Sequence, residues 1–205
     1  MSQQPVSTTT LTSPTATREN WVNAPNIITI SRLVLSVVLF ALISLWKGES
    51  CGIAAAILFA IAVFTDAVDG YLARKYNLIT QLGRILDPFA DKVIVLGTFI
   101  MLLERAPASG VNGAMVVIVL GRELLVTGIR SFLEQHGKDF SANWIGKLKM
   151  ILQSVALIAS LLSISAVFQT PGFLLTRDIL LWSAVVITVY SGWLYIQRAI
   201  QLLRE

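Results

Sequence analysis

Four aspartates, Asp66, Asp69, Asp87 and Asp91, fall within 26 consecutive residues of a chain that is otherwise poor in charge. On helices advancing about 100° per residue, Asp66 and Asp69 share an arc with Gly70 and Ala73, while Gly83, Asp87 and Asp91 drift only about 40° per step along a second stripe. Two carboxylate stripes facing each other repel in a low dielectric unless protonated or neutralised. The simplest neutraliser is one or two divalent cations held by oxygen ligands, and Mg²⁺ fits because its sites keep positions for water and phosphate. Gly70, Ala73 and Gly83 leave the backbone uncovered where a ligand would approach. Pro88, directly after Asp87, predicts that a helix begins or kinks there and frees a carbonyl. Any one of these aspartates could be a solvated helix end. Four at matched spacing on two adjacent helices ask for a common cause.

The elements that must position these residues are apolar. Of 205 residues, 55% are hydrophobic and 14% charged, whereas an ordinary soluble domain carries about a quarter charged residues. A net charge of +4 favours anionic lipids or substrates, and its basic residues are too dispersed for a nucleic-acid footprint. One cysteine, Cys51, and one histidine, His136, exclude a disulfide framework and a Cys/His zinc site. Six apolar stretches, 27–46, 52–72, 85–103, 112–132, 148–168 and 174–196, each approach the ~20 residues that cross a hydrocarbon core.

The expected fold class is therefore an all-α integral membrane protein with six transmembrane helices. A short interfacial helix at 19–24, containing Trp21, precedes them, with Asn23, Pro25 and Asn26 placed to cap. The short connection 74–84 makes the second and third spans an antiparallel pair, so the two aspartate stripes become neighbours. Residues 1–17, rich in Ser and Thr, read as a flexible tail without a signal-peptide pattern, and 18–205 as one domain. The two termini and the second and fourth connections hold Arg18, Arg74, Lys75, Arg84, Lys138, Lys147, Lys149, Arg198 and Arg204. The other three connections hold only Lys47, Arg105 and Arg177. This asymmetry predicts cytoplasmic termini and places the aspartates near the cytoplasmic face.

Written out, Asp66-x2-Asp69-Gly70-x2-Ala73-Arg74-x8-Gly83-x3-Asp87-x3-Asp91 resembles the full signature of the CDP-alcohol phosphatidyltransferases. The resemblance implies that family's six-helix membrane fold, commonly a homodimer, with a polar cavity open to the cytoplasm. It implies transfer of a phosphatidyl group from CDP-diacylglycerol to a second alcohol with release of CMP, and two Mg²⁺ or Mn²⁺ ions. By the same resemblance Asp66, Asp69 and Asp87 are metal ligands, and Asp91 is both a ligand and the general base. Gly70, Ala73, Arg74 and Gly83 belong to the nucleotide-binding part, and the hydroxyl of Thr80 is placed to contact the nucleotide.

Three further segments narrow the acceptor. Pro25-Asn26-x-x-Thr29-x-x-Arg32 resembles the entrance to the first helix in the branch that uses glycerol 3-phosphate and in some relatives, with Asn26 a cap and Thr29 and Arg32 facing the CDP-lipid phosphates. Gly121-Arg122-Glu123-Leu124 through Thr127-Gly128-Ile129-Arg130, and Gly146-Lys147-Leu148-Lys149, resemble segments of the same branch. Arg122, Arg130, Lys147 and Lys149 could hold the acceptor's phosphate. The plainer alternative pairs Arg122 with Glu123 or an aspartate of the motif and lets the lysines snorkel to headgroups. The expected reaction, in a bacterial cytoplasmic membrane, yields phosphatidylglycerophosphate and CMP. An inositol phosphate acceptor, a cation transporter and a non-catalytic membrane scaffold are the rival readings. A transporter predicts acids spread through the membrane depth and gives no reason for the small residues.

Overall fold

The structure is a computed structural model that describes residues 24–46, 48, 50–75, 81–105, 108–136 and 144–204, and within them all side chains except those of 24–28, 66–75, 81–85 and 204. Its apolar runs fold as α1 (Ala24–Leu45), α2 (Cys51–Lys75), α3 (Gln81–Leu103), α4 (Gly113–Gln135), α5 (Trp144–Leu162) and α6 (Pro171–Arg204). A single 3-10 turn, Ala166–Phe168, joins the last two. The described residues contain no strand. The tail 1–17, the interfacial segment 19–23 and Thr80 lie outside the described residues.

Several expected boundaries move. Helix α1 starts at Ala24, which puts Asn26 inside its first turn rather than at the cap. Pro25 is well suited there because a first-turn N–H has no intrahelical acceptor to lose. Helix α3 runs unbroken from Gln81 through Pro88, so it does not begin at the proline. Packing continues on the far side, where Ala90 and Ile94 are buried. Helix α5 ends at Leu162, short of 168. The serine hydroxyls near its end are engaged elsewhere: Ser160 donates to Ser109 O at 2.5 Å and Ser163 to Ala108 O at 2.8 Å. Helix α6 spans 34 residues, about 50 Å at 1.5 Å per residue.

Contacts fix the direction of each helix. Thr29 meets Asp87 and Arg32 meets Asp91, Phe40 lies against Gly97, and Arg105 reaches Ile43 O. The numbers rise together, so α1 and α3 run parallel. Between α5 and α6 the order is reversed: Gly146 faces Tyr195, Gln153 bonds Thr188 and Ser163 meets Arg177. Helix α1 packs on both α2 and α3, α5 on α2, α3 and α6, and α4 on α3 and α6. An up-and-down bundle results. One end gathers the start of α1, the end of α2, the starts of α3 and α5, and the ends of α4 and α6. The opposite end holds the described residues of the connections at 46–50 and 104–112, and the connection at 163–170.

The main core belongs to the middle of the bundle and its connection end, built from Leu39, Phe59, Phe99, Leu102, Leu157 and Leu161 with their neighbours. A backbone-to-backbone approach helps close it. A Cβ on Gly52 would collide with Leu161 O, so only glycine lets α2 and α5 touch there. The outward faces are apolar too, with Val37, Phe64, Val117, Leu175 and Val186 more than half exposed, a surface that suits lipid better than water. Two helices, Trp144–Leu162 and Pro171–Leu203, are long and apolar enough by length and composition to cross a membrane among the described residues. Helices α3 and α4 carry the charges Asp87, Asp91, Lys92, Arg122, Glu123 and Arg130, which lower their apolar content.

Candidate active site

Side chains singled out in the sequence gather toward the end of the bundle away from the main core. Two motif carboxylates, Asp87 and Asp91, stand one turn apart on α3. Helix α1 supplies partners at the same spacing. Thr29 donates its hydroxyl to Asp87 Oδ1 at 2.5 Å, and Arg32 donates from Nη1 to Asp91 Oδ1 at 2.8 Å. Thr29 and Arg32 are themselves buried. The residues expected to face a CDP-lipid therefore hold motif carboxylates in place. Asp87 is exposed.

Asp66, Asp69, Gly70, Ala73 and Arg74 lie in the last part of α2, and Gly83 in the first turn of α3, which brings their backbone to this same end. Their side chains, and that of Asn26, are outside the described set. Among the described residues, no group of three potential metal ligands comes together.

A second charged cluster lies between α4, α5 and α6. Glu123 Oε1 accepts from Arg122 Nη1 at 3.0 Å and also from Lys149 Nζ. All three side chains are withdrawn from solvent, Arg122 being 10%, Glu123 14% and Lys149 5% exposed. The Tyr195 ring covers Arg122, with its centroid 5.3 Å from Cζ, and Gly192 makes room for the arginine's stem. One donor is left over. Arg122 Nε is buried without a hydrogen-bond partner among the described residues, an uncommon state for a native polar group and one that a bound anion would relieve.

Lys92 ties α3 to α4 between the two clusters. It follows Asp91 on α3 and donates to Thr127 Oγ1 of α4 at 2.5 Å, while Thr127 in turn donates to Glu123 O at 2.7 Å. Sequence reading passed Lys92 over. The rule that singled out the aspartates, that a charge within an apolar helix needs a reason, would have found it. Tyr195 carried no such signal, because an aromatic residue in an apolar helix is unremarkable until its neighbour is known.

Of the four cations expected at the acceptor site, Arg122 and Lys149 come together. Arg130 lies two turns further along α4, about 12 Å by helical rise, with its Nε buried and unpartnered among the described residues. Lys147 is exposed. The expected Arg122–Glu123 pair is present, but as half of a three-membered cluster. His136 ends α4, its ring against Phe132.

These helices and this signature define a class. Residues 22–190 match the CDP-alcohol phosphatidyltransferase family model, and the chain belongs to that family. Several relatives align over most of its length. A Bacillus subtilis (strain 168) protein named CDP-diacylglycerol–glycerol-3-phosphate 3-phosphatidyltransferase is 40% identical over 190 residues, spanning 86% of this chain and 94% of its own. A protein of that name from Rickettsia bellii is 36% identical over 174 residues, covering 84% and 93%. One from Escherichia coli (strain K12) is 32% identical over 179 residues, covering 86% and 94%.

Proposed function

We propose that this protein transfers the phosphatidyl group of CDP-diacylglycerol to sn-glycerol 3-phosphate, forming phosphatidylglycerophosphate and CMP. The observation that carries this reading is that the helix bearing the motif carboxylates reaches, through Lys92 and Thr127, the helix of a buried cluster containing two cations. A phosphatidyl donor needs the carboxylates and an acceptor bearing a phosphate needs the cluster. The similarly named relatives support the same assignment.

In this reading the acceptor's hydroxyl oxygen attacks the phosphorus that carries the diacylglycerol. The bond from that phosphorus to the bridging oxygen breaks, CMP departs, and Asp91 takes the hydroxyl proton. Arg32 orients Asp91, and Thr29 orients Asp87. Arg122 and Lys149 hold the acceptor's phosphate, one with forked donors and the other as a point charge. Arg130 and Lys147 stand nearer the bundle's end, where they draw the anion inward. Arg74, Thr80 and the small residues of the motif take the nucleotide.

The donor set of Asp66, Asp69, Asp87 and Asp91 consists of hard carboxylate oxygens, the chemistry that suits Mg²⁺ or Mn²⁺. Two bound ions would neutralise the pyrophosphate and the departing CMP. The remaining proposals concern setting: six membrane crossings in a bacterial cytoplasmic membrane, cytoplasmic termini and active site, and a homodimer. The apolar outward faces and the distribution of Lys and Arg support the membrane assignments.

The test is CMP release by purified full-length protein in detergent with Mg²⁺. Release should require both CDP-diacylglycerol and glycerol 3-phosphate. A preference for an inositol phosphate on the same preparation would move the protein to another branch, and no release with any acceptor would favour a scaffold.

A further inference from the structure

Glu123 does something that holding an anion does not require. Its carboxylate offers one oxygen to the two cations that an acceptor phosphate would use, and its negative charge opposes any anion arriving there. A site built only for tight phosphate binding would leave this carboxylate out.

Charge and chemistry together suggest its purpose. Arg122, Lys149 and nearby Lys92, which bonds Thr127 one helical turn from Glu123, sum to three positive charges, and Glu123 reduces them to two. A phosphate monoester dianion balances two. The reaction rearranges bonds at the other end of glycerol 3-phosphate, so substrate and product present the same phosphate to the cluster. Binding that is equal in substrate and product lowers KM without helping the chemical step, and it holds back product. We propose that Glu123 is the built-in counter-charge of the acceptor-phosphate site, a positioning residue that weakens phosphate retention so that the phosphorylated lipid product can leave. This inference rests on the assignment of Arg122 and Lys149 to the acceptor's phosphate.

The experiment compares wild type, Glu123→Gln and Arg122→Gln as full-length protein in mixed micelles with CDP-diacylglycerol and Mg²⁺, with thermal melting as a check on folding. Glutamine keeps the size and an acceptor oxygen but removes the charge. Glu123→Gln is expected to lower KM for glycerol 3-phosphate about fivefold and to make inorganic phosphate a correspondingly stronger competitor. Its kcat should fall, with a burst of CMP in the first turnover as product release becomes limiting. A folded Glu123→Gln protein with unchanged or raised KM overturns the proposal, as does tighter binding without the fall in kcat. A purely structural role predicts a raised KM and no burst.

If Glu123→Gln does not fold, Lys149→Gln is compared with the charge-balanced pair Lys149→Gln/Glu123→Gln. The double variant must show the lower KM of the two, and an equal or higher value overturns the proposal. Arg122→Gln tests the ground beneath it. Unchanged KM there rejects the acceptor site itself, whereas raised KM there with no tightening in Glu123→Gln rejects only the counter-charge.

Discussion

The two ends of the bundle use arginine in opposite ways. At the connection end, Arg177 is 8% exposed and well matched: Nη1 donates to Ala108 O at 2.7 Å and Nε to Asp178 Oδ1 at 2.9 Å. Arg105 there donates from Nε to Ile43 O at 3.0 Å and from Nη2 to Trp46 O at 2.7 Å, capping the end of α1. These guanidiniums are spent on carbonyls at a helix end and a turn and on a neighbouring carboxylate. At the other end Arg122, among the described residues, meets one glutamate oxygen, lies under an aromatic ring and keeps an unmatched Nε. A saturated arginine holds structure, and one left with donors in a buried cluster is available to a ligand. The apolar packing divides the same way among the described residues, since the large cluster serves the middle and the connection end while buried Val126, Leu133, Tyr195 and Ala199 form the small one beside the site.

Substitutions at the two ends should therefore fail differently. The largest effect is expected for Asp91→Asn, which should reduce CMP release roughly 10²- to 10⁴-fold, the usual contribution of a general base, with its melting temperature close to wild type. Wild-type-like turnover would remove Asp91 from that role. Arg122→Gln should lower kcat/KM for glycerol 3-phosphate by about 10- to 100-fold, the value of a hydrogen bond to a charged group, mainly through KM. Arg177→Met makes the opposite case: a loss of about 1–3 kcal/mol in stability, read by thermal melting in detergent, with the KM of the protein that remains folded unchanged. A changed KM would break the division between the two ends. Gly52→Ala should also destabilise, by about 1–3 kcal/mol, because its Cβ meets backbone that cannot swing aside. The smallest effect is expected for Lys147→Gln, about a twofold rise in KM that disappears at high salt, as befits an exposed charge that steers rather than holds.

Much of this was legible in the residues. An apolar chain makes each buried charge conspicuous, so the aspartates, Arg122 and Lys149 could be singled out without a structure. The helical periods and the Gly, Pro and charged breaks located all six helices. Boundaries were less legible, because a helix extends as far as neighbouring elements supply packing and hydrogen bonds. Helix α3 passes through Pro88 and α5 stops at Ser163 for reasons that lie on other helices.

By itself the sequence determined the apolar character of the chain, the six α-helices among the described residues, and the spacing of the carboxylate motif, because these depend on residue type and on order along one chain. Only the tertiary structure decided that Thr29 and Arg32 grip Asp87 and Asp91, and that Lys92 reaches α4. It also separated Arg122 and Lys149, which share Glu123, from Lys147, which faces outward. Each of these is a meeting of side chains from different helices. Periodicity gives a helix its faces but leaves open which neighbour each face will touch, and that is settled when the bundle packs.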